Sequence, residues 1–97
     1  MPKGYMISAH RSEADPGKRA AYLELAGPAI MAAGGRFLAG GDCRVVAKEN
    51  GIAQRTVLIE FDSFDAAMAA YESEAYQKAL EARSGGADRD VRLFEGI

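Results

Sequence analysis

The chain has 97 residues, 48% hydrophobic and 27% charged, with a net charge of −2 from 12 basic and 14 acidic residues. That is the length of one domain, residues 1–97, and a chain this small buries only about two-thirds of its unfolded surface, which leaves a monomer a modest core. The charges are mixed along the chain, without the basic stripe and interleaved aromatics that a nucleic-acid partner requires; no apolar run is long enough to cross a bilayer, and Met1-Pro2-Lys3-Gly4 lacks the apolar core of a secretory signal. The single cysteine, Cys43, gives no internal disulfide framework and fits a reducing cytoplasm.

Residues 5–10 read as a strand, with Tyr5, Ile7 and Ala9 on one face and Met6, Ser8 and His10 on the other. Asp15-Pro16 then supplies an N-cap followed by proline at the first helical position, where its missing N–H is harmless. Leu23, Ala26, Ile30 and Ala33 recur at helical spacing, widened by Tyr22 and Ala29. Pro28 inside this helix predicts a kink, and Gly34-Gly35 its end.

Residues 36–39 begin a second strand that resumes over 43–47, with Gly40-Gly41 between the halves as a bulge. Asn50-Gly51 signals a hairpin into a third strand over 55–61. There Val57, Ile59 and Phe61 face one way and Thr56, Leu58 and Glu60 the other, so both faces carry apolar groups and both call for cover. Asp62-Ser63 caps the second helix and Asp65 adds negative charge to its first turn. The stripe Phe64, Ala67, Met68, Tyr71 continues as Tyr76, Ala79, Leu80 past Ser73, which reads as the cap of a second helical segment ending near Arg83. Residues 90–95 alternate as the last strand.

The order β-α-β-β-α-β is the ferredoxin-like split arrangement, an α+β fold. Its four-stranded antiparallel sheet carries two helices on one face. The opposite face stays bare unless a second copy covers it, which predicts a homodimer.

The segments Lys3-Gly4-Tyr5, Ala33-Gly34-Gly35-Arg36-Phe37-Leu38, Glu60-Phe61 and Tyr71-Glu72-Ser73-Glu74-Ala75-Tyr76 together resemble the small bacterial family called domain of unknown function 1330. The resemblance spans nearly the whole chain. It implies a dimeric α+β barrel, in which two ferredoxin-like sheets face each other, within a superfamily that includes cofactor-free monooxygenases, muconolactone isomerases and haem enzymes. Two positions depart from the family pattern: Ala39 stands before Gly40-Gly41 where arginine is usual, and Ala70 before Tyr71 where tryptophan is usual. Both departures imply a roomier pocket less suited to an anion.

His10, the only histidine, ends the first strand and reads either as a general base near neutral pH or as a solvent-exposed strand-end residue. Glu60 reads either as a buried general acid or base, or as the ion-pair partner of Arg36 or Arg44. Arg36 can bind a substrate carboxylate bidentately or hold Glu60. Tyr71, Tyr76 and Tyr22 fall on the helical stripes as core residues that would also line any pocket between helix and sheet. One histidine and one cysteine give no clustered metal ligands, His10 lacks an axial-ligand context, and no phosphate-binding glycine loop is present, so no cofactor is expected.

The leading expectation is a homodimer that binds a small, mainly apolar organic molecule between sheet and helices, with Arg36, Tyr71 and Tyr76 at the site. One alternative is a cofactor-free oxygenase, isomerase or decarboxylase acting on a small cyclic or unsaturated acid, with Glu60 or His10 moving the proton. Another is a structural or protein-interaction dimer whose barrel is filled by side chains.

Overall fold

A computed structural model describes residues 2–97. The strands are β1 (Gly4–His10), β2 (Arg36–Ala39), β3 (Thr56–Phe61) and β4 (Arg89–Glu95); the helices are α1 (Pro16–Ala32), α2 (Phe64–Glu72) and α3 (Glu74–Arg83). The four strands form one antiparallel sheet in the order β2-β3-β1-β4. This is the ferredoxin-like arrangement.

The helix ends follow local chemistry. Asp15 is extended and its Oδ1 accepts from the Lys18 N–H at 3.0 Å, while Pro16 opens the helix. At the other end the Gly34 N–H bonds to the Met31 carbonyl and the Gly35 N–H to the Ile30 carbonyl at 2.9 Å, with Gly34 at φ 87°. These paired bonds need a residue tolerant of the left-handed region, which glycine supplies. Helix α1 runs unbroken through Pro28. Ser63 caps α2 through the Ala66 N–H. Ser73 separates α2 from α3, donating to the Ala70 carbonyl at 2.8 Å and accepting from the Tyr76 N–H at 3.2 Å, so one hydroxyl ends one helix and starts the next.

Alternation along the strands sorts the sheet into two faces. Met6, Ser8 and His10 of β1, with Ile59 and Phe61 of β3, are buried beneath the helices. Small side chains on the helices, Ala26, Ala29, Ala67, Ala70 and Ala79, let them approach closely, and Phe61, Ile30, Met6 and Tyr76 fill the space between. Burying each such large side chain contributes roughly 1.5–3 kcal/mol. At Gly4 a side chain would run into the backbone of Ser63 and Phe64, so β1 must carry glycine where α2 begins.

Two expectations are corrected here. Residues 43–47 form no strand, and Asn50-Gly51 closes no hairpin; the chain from Gly40 to Arg55 is a loop. The β2 register shifts between Phe37 and Ala39, and Gly40 and Gly41 then take φ of 143° and 71°, which carries the chain off the sheet edge before residue 43 can pair. Val46 is accordingly 71% exposed. The Asn50-Gly51 region makes only a local turn, closed by the Gly51 N–H on the Lys48 carbonyl.

Candidate functional site

A cavity of about 350 Å³ lies between α1, the helix-covered face of β1 and β3, and the chain leaving β2. Its walls are apolar: Met6, Ala26, Ile30, Val57 and Ile59. Leu23, Phe37 and Leu38 form an exposed apolar rim. Such a volume is at the small end of cavities that hold organic ligands, roughly 300–1,000 Å³.

The polar end is built from β1, β4 and the helices. Ser8 and His10 alternate with apolar neighbours along β1 and so point beneath the helices, where they are buried. Arg89 opens β4 directly across from His10, which places its side chain on the same face. Its Nη1 donates to Ser8 Oγ at 3.1 Å and Tyr22 Oη at 3.3 Å, and its Nη2 to Tyr76 Oη at 3.1 Å. The two phenol oxygens lie 2.7 Å apart, and the guanidinium stacks over the Tyr22 ring at 4.9 Å. Exposed Arg19 and half-buried Arg55 also line the cavity.

This setting fixes protonation states. Burial, followed by the positive charges of Arg89, Arg83, Arg55 and Arg19, holds the His10 pKa below its ordinary 6.5, so the imidazole is neutral at pH 7. Burial pushes the Tyr76 phenol well above its ordinary value, and Tyr22 adds to the effect, so Tyr76 is a hydrogen-bond donor rather than a base. A neutral imidazole beside phenols and a guanidinium can accept a proton from a bound molecule while the donors steady the oxygen left behind.

Of the residues singled out from the sequence, His10 and Tyr76 line this cavity. His10 is buried, so the reading of a solvent-exposed strand end does not hold; the arginine-bearing start of β4 and the helices cover it. Tyr71 packs at the edge of the core with its ring 5.3 Å from that of Tyr76 and does not line the cavity. Glu60 and Arg36 lie on the opposite face of the sheet, where Arg36 bonds Glu60 at 3.2 Å and Asp62 at 3.1 Å, and Tyr5 Oη donates to Glu60 at 3.1 Å.

The two family departures fall in different places. Ala39 lines the cavity, but Ala70 is a buried core residue of α2 and does not line it. Arg19, Arg55 and Arg89 bring cationic residues to the lining from other elements.

Arg89 is the residue that sequence reasoning missed. A signal was present: stepping the alternation of Val91 and Leu93 back by two residues puts Arg89 on their covered face, a charged residue in an apolar series. Starting the strand one residue later hid it.

The fold is shared with solved structures. A protein of unknown function from Rhodopseudomonas palustris superposes with a TM-score of 0.73 at 16% identity, covering 99% of this chain and 83% of that one. A conserved protein from Methanosarcina mazei gives 0.60 at 13% identity, covering 100% and 95%. SnoaB, a cofactor-independent oxygenase from Streptomyces nogalater, gives 0.60 at 12% identity, covering 99% and 93%. At these identities the likeness concerns the fold. No curated protein matches significantly. The model of one family, described as Domain of unknown function (DUF1330), matches residues 3–97, and the chain belongs to that family.

Proposed function

We propose that the protein binds a small, mainly apolar organic molecule in the cavity between α1 and the sheet, as a homodimer. The cavity itself carries this reading: apolar walls lead to a polar end of buried Ser8, His10 and Tyr76. A dimer acting only as structure would have no use for such a space. The dimer is supported by the face away from the helices, where Tyr5 stacks on Phe94 with centroids 5.5 Å apart and no helix covers Ile7 or Leu58. On that face we assign Glu60 and Arg36 to an ion pair; on the helix side we assign Tyr71 to supporting the ring of Tyr76. No helix is long and apolar enough to cross a membrane among the described residues, and the exposed free Cys43 suits a reducing, cytoplasmic setting.

Native mass spectrometry of gently purified protein, compared with its denatured mass, tests both parts. The expected result is a dimer with a reproducible small-molecule adduct. A stable monomer would overturn the packing of the bare faces. A cargo-free protein whose cavity methyl NMR signals respond to no apolar probe would overturn the binding reading.

A second reading, a cofactor-free oxygenase or isomerase, is favoured by one observation: a buried, neutral His10 faces the cavity beside two phenols. The likeness in fold to a cofactor-independent oxygenase agrees with it. Under this reading His10→Gln abolishes turnover of the molecule recovered by mass spectrometry while leaving its binding intact; full turnover in that variant removes His10 from the chemistry.

A further inference from the structure

Arg19, Arg55 and Arg89 line the cavity, and no aspartate or glutamate does. Among the described residues none of the three forms a salt bridge. A cation drawn out of water is ordinarily offset by a counter-charge. At Arg89 the partners are instead neutral: three hydroxyl oxygens and the face of the Tyr22 ring.

The hydrogen-bond accounting is also unbalanced. A guanidinium has five N–H donors, and three bonds from Arg89 go to Ser8, Tyr22 and Tyr76. Between the two tyrosines only one hydroxyl can donate to the other across their 2.7 Å separation. One phenolic proton, the Ser8 hydroxyl proton and the remaining Arg89 N–H groups therefore find no acceptor among the described side chains. Ser8 is 6% exposed and Tyr76 1%, so bulk water reaches them poorly. Surplus donors and uncompensated positive charge thus meet at the inner end of an apolar cavity.

We propose that the ligand of this cavity is a monocarboxylate with an apolar body, its carboxylate docked on Arg89 and completed by donors from Ser8 and the Tyr22–Tyr76 pair. This rests on the reading that the cavity binds a small molecule. A carboxylate offers only acceptors, matching a cluster that offers mostly donors, and a guanidinium can hold both of its oxygens. The apolar body lies along Met6, Ile30, Val57 and Ile59, toward the rim at Leu23 and Phe37. Arg19 and Arg55 supply a positive approach that steers an anion inward.

The test is a pair of nearly isosteric probes, 2-naphthoate and neutral 2-naphthamide, titrated at pH 7.5 into isotopically labelled protein. The signals followed are the Arg89 Nε–H and the methyl groups of Ile30 and Ile59, which detect weak binding and locate it. The acid is expected to shift all three and to bind about tenfold to hundredfold more tightly than the amide. The preference disappears in Arg89→Gln and persists in Arg36→Gln. Equal affinities, with the isoleucine signals moving for both probes, would overturn the carboxylate proposal and leave apolar binding standing. No movement of any of the three signals would overturn the binding reading together with it. Were Arg89→Gln to fail to fold, the acid-to-amide ratio in the unaltered protein decides alone.

Discussion

Arg36 and Arg89 lie on opposite faces of the same sheet, Arg36 in a group with one tyrosine, Tyr5, and Arg89 against two, Tyr22 and Tyr76. Arg36, with its side chain 43% exposed, is held between the carboxylates of Glu60 and Asp62, and Tyr5 completes the group by donating to Glu60. Lys3 also lies 3.6 Å from Asp62, so two cations face two carboxylates and the charges balance there. Arg89 lies beneath the helices against Ser8, Tyr22 and Tyr76, with two more arginines around the cavity and no carboxylate. Similar residue types thus make a charge-balanced ion-pair group on one face and, on the other, the cation-bearing cavity lining that we propose as a carboxylate receptor. Residue type alone does not assign function; the charge and donor balance of the surroundings does.

The largest effect is expected at Tyr76, which is 1% exposed and whose hydroxyl accepts from Arg89. Tyr76→Ala should cost about 3–5 kcal/mol of stability in urea denaturation, since it opens a cavity in the core. A loss under about 1 kcal/mol would show that the ring is not a keystone between core and site. Arg89→Met should do the opposite: stability stays within about 1 kcal/mol or rises, because an uncompensated cation is replaced by an apolar chain of similar length, while probe acid no longer binds. A large destabilisation by Arg89→Met would make the Arg89 cluster a structural element of the core instead.

The His10 setting gives a pH signature. Its folded pKa lies below the ordinary 6.5, so between those two values the unfolded chain binds more protons than the folded one. The contribution of this group is therefore complete above about pH 6.5 and declines as pH falls through that window. Stability curves of the unaltered protein and His10→Gln should converge or cross on acidification; parallel curves across pH 5–7.5 would contradict a buried neutral imidazole. The smallest effect on binding is expected at Arg36→Gln, because its ion pair lies on the sheet face away from the cavity: no resolvable change in probe affinity. A clear loss of acid binding there would move the anion site to the other face.

Much of the fold was legible in local chemistry. Asp15-Pro16, Gly34-Gly35, Ser63 and Ser73 act within a few residues of themselves, and each does in the structure what its type dictates. Alternation in β1 and β3 correctly separated Met6, Ser8 and His10 from Tyr5 and Ile7. The loop at residues 43–47 was misread because Val45 and Val46 have high strand propensity, whereas pairing depends on whether a neighbouring edge is in reach. Gly40 and Gly41 decide that by turning the chain away.

The site was legible only in part. Of the candidates that chemistry and periodicity singled out, His10 and Tyr76 line the cavity, whereas Glu60 and Arg36 pair with each other on the opposite face. Arg89, 79 residues after His10 in the chain, comes opposite it through the β1–β4 register. No local pattern encodes that approach.

The sequence by itself determined the order of elements, their caps and which residues share a strand face, because those follow from short-range sterics and hydrogen bonding. Only the tertiary structure decided that three arginines converge on one cavity without a carboxylate, because charge balance in a buried space depends on which distant residues the sheet register brings together.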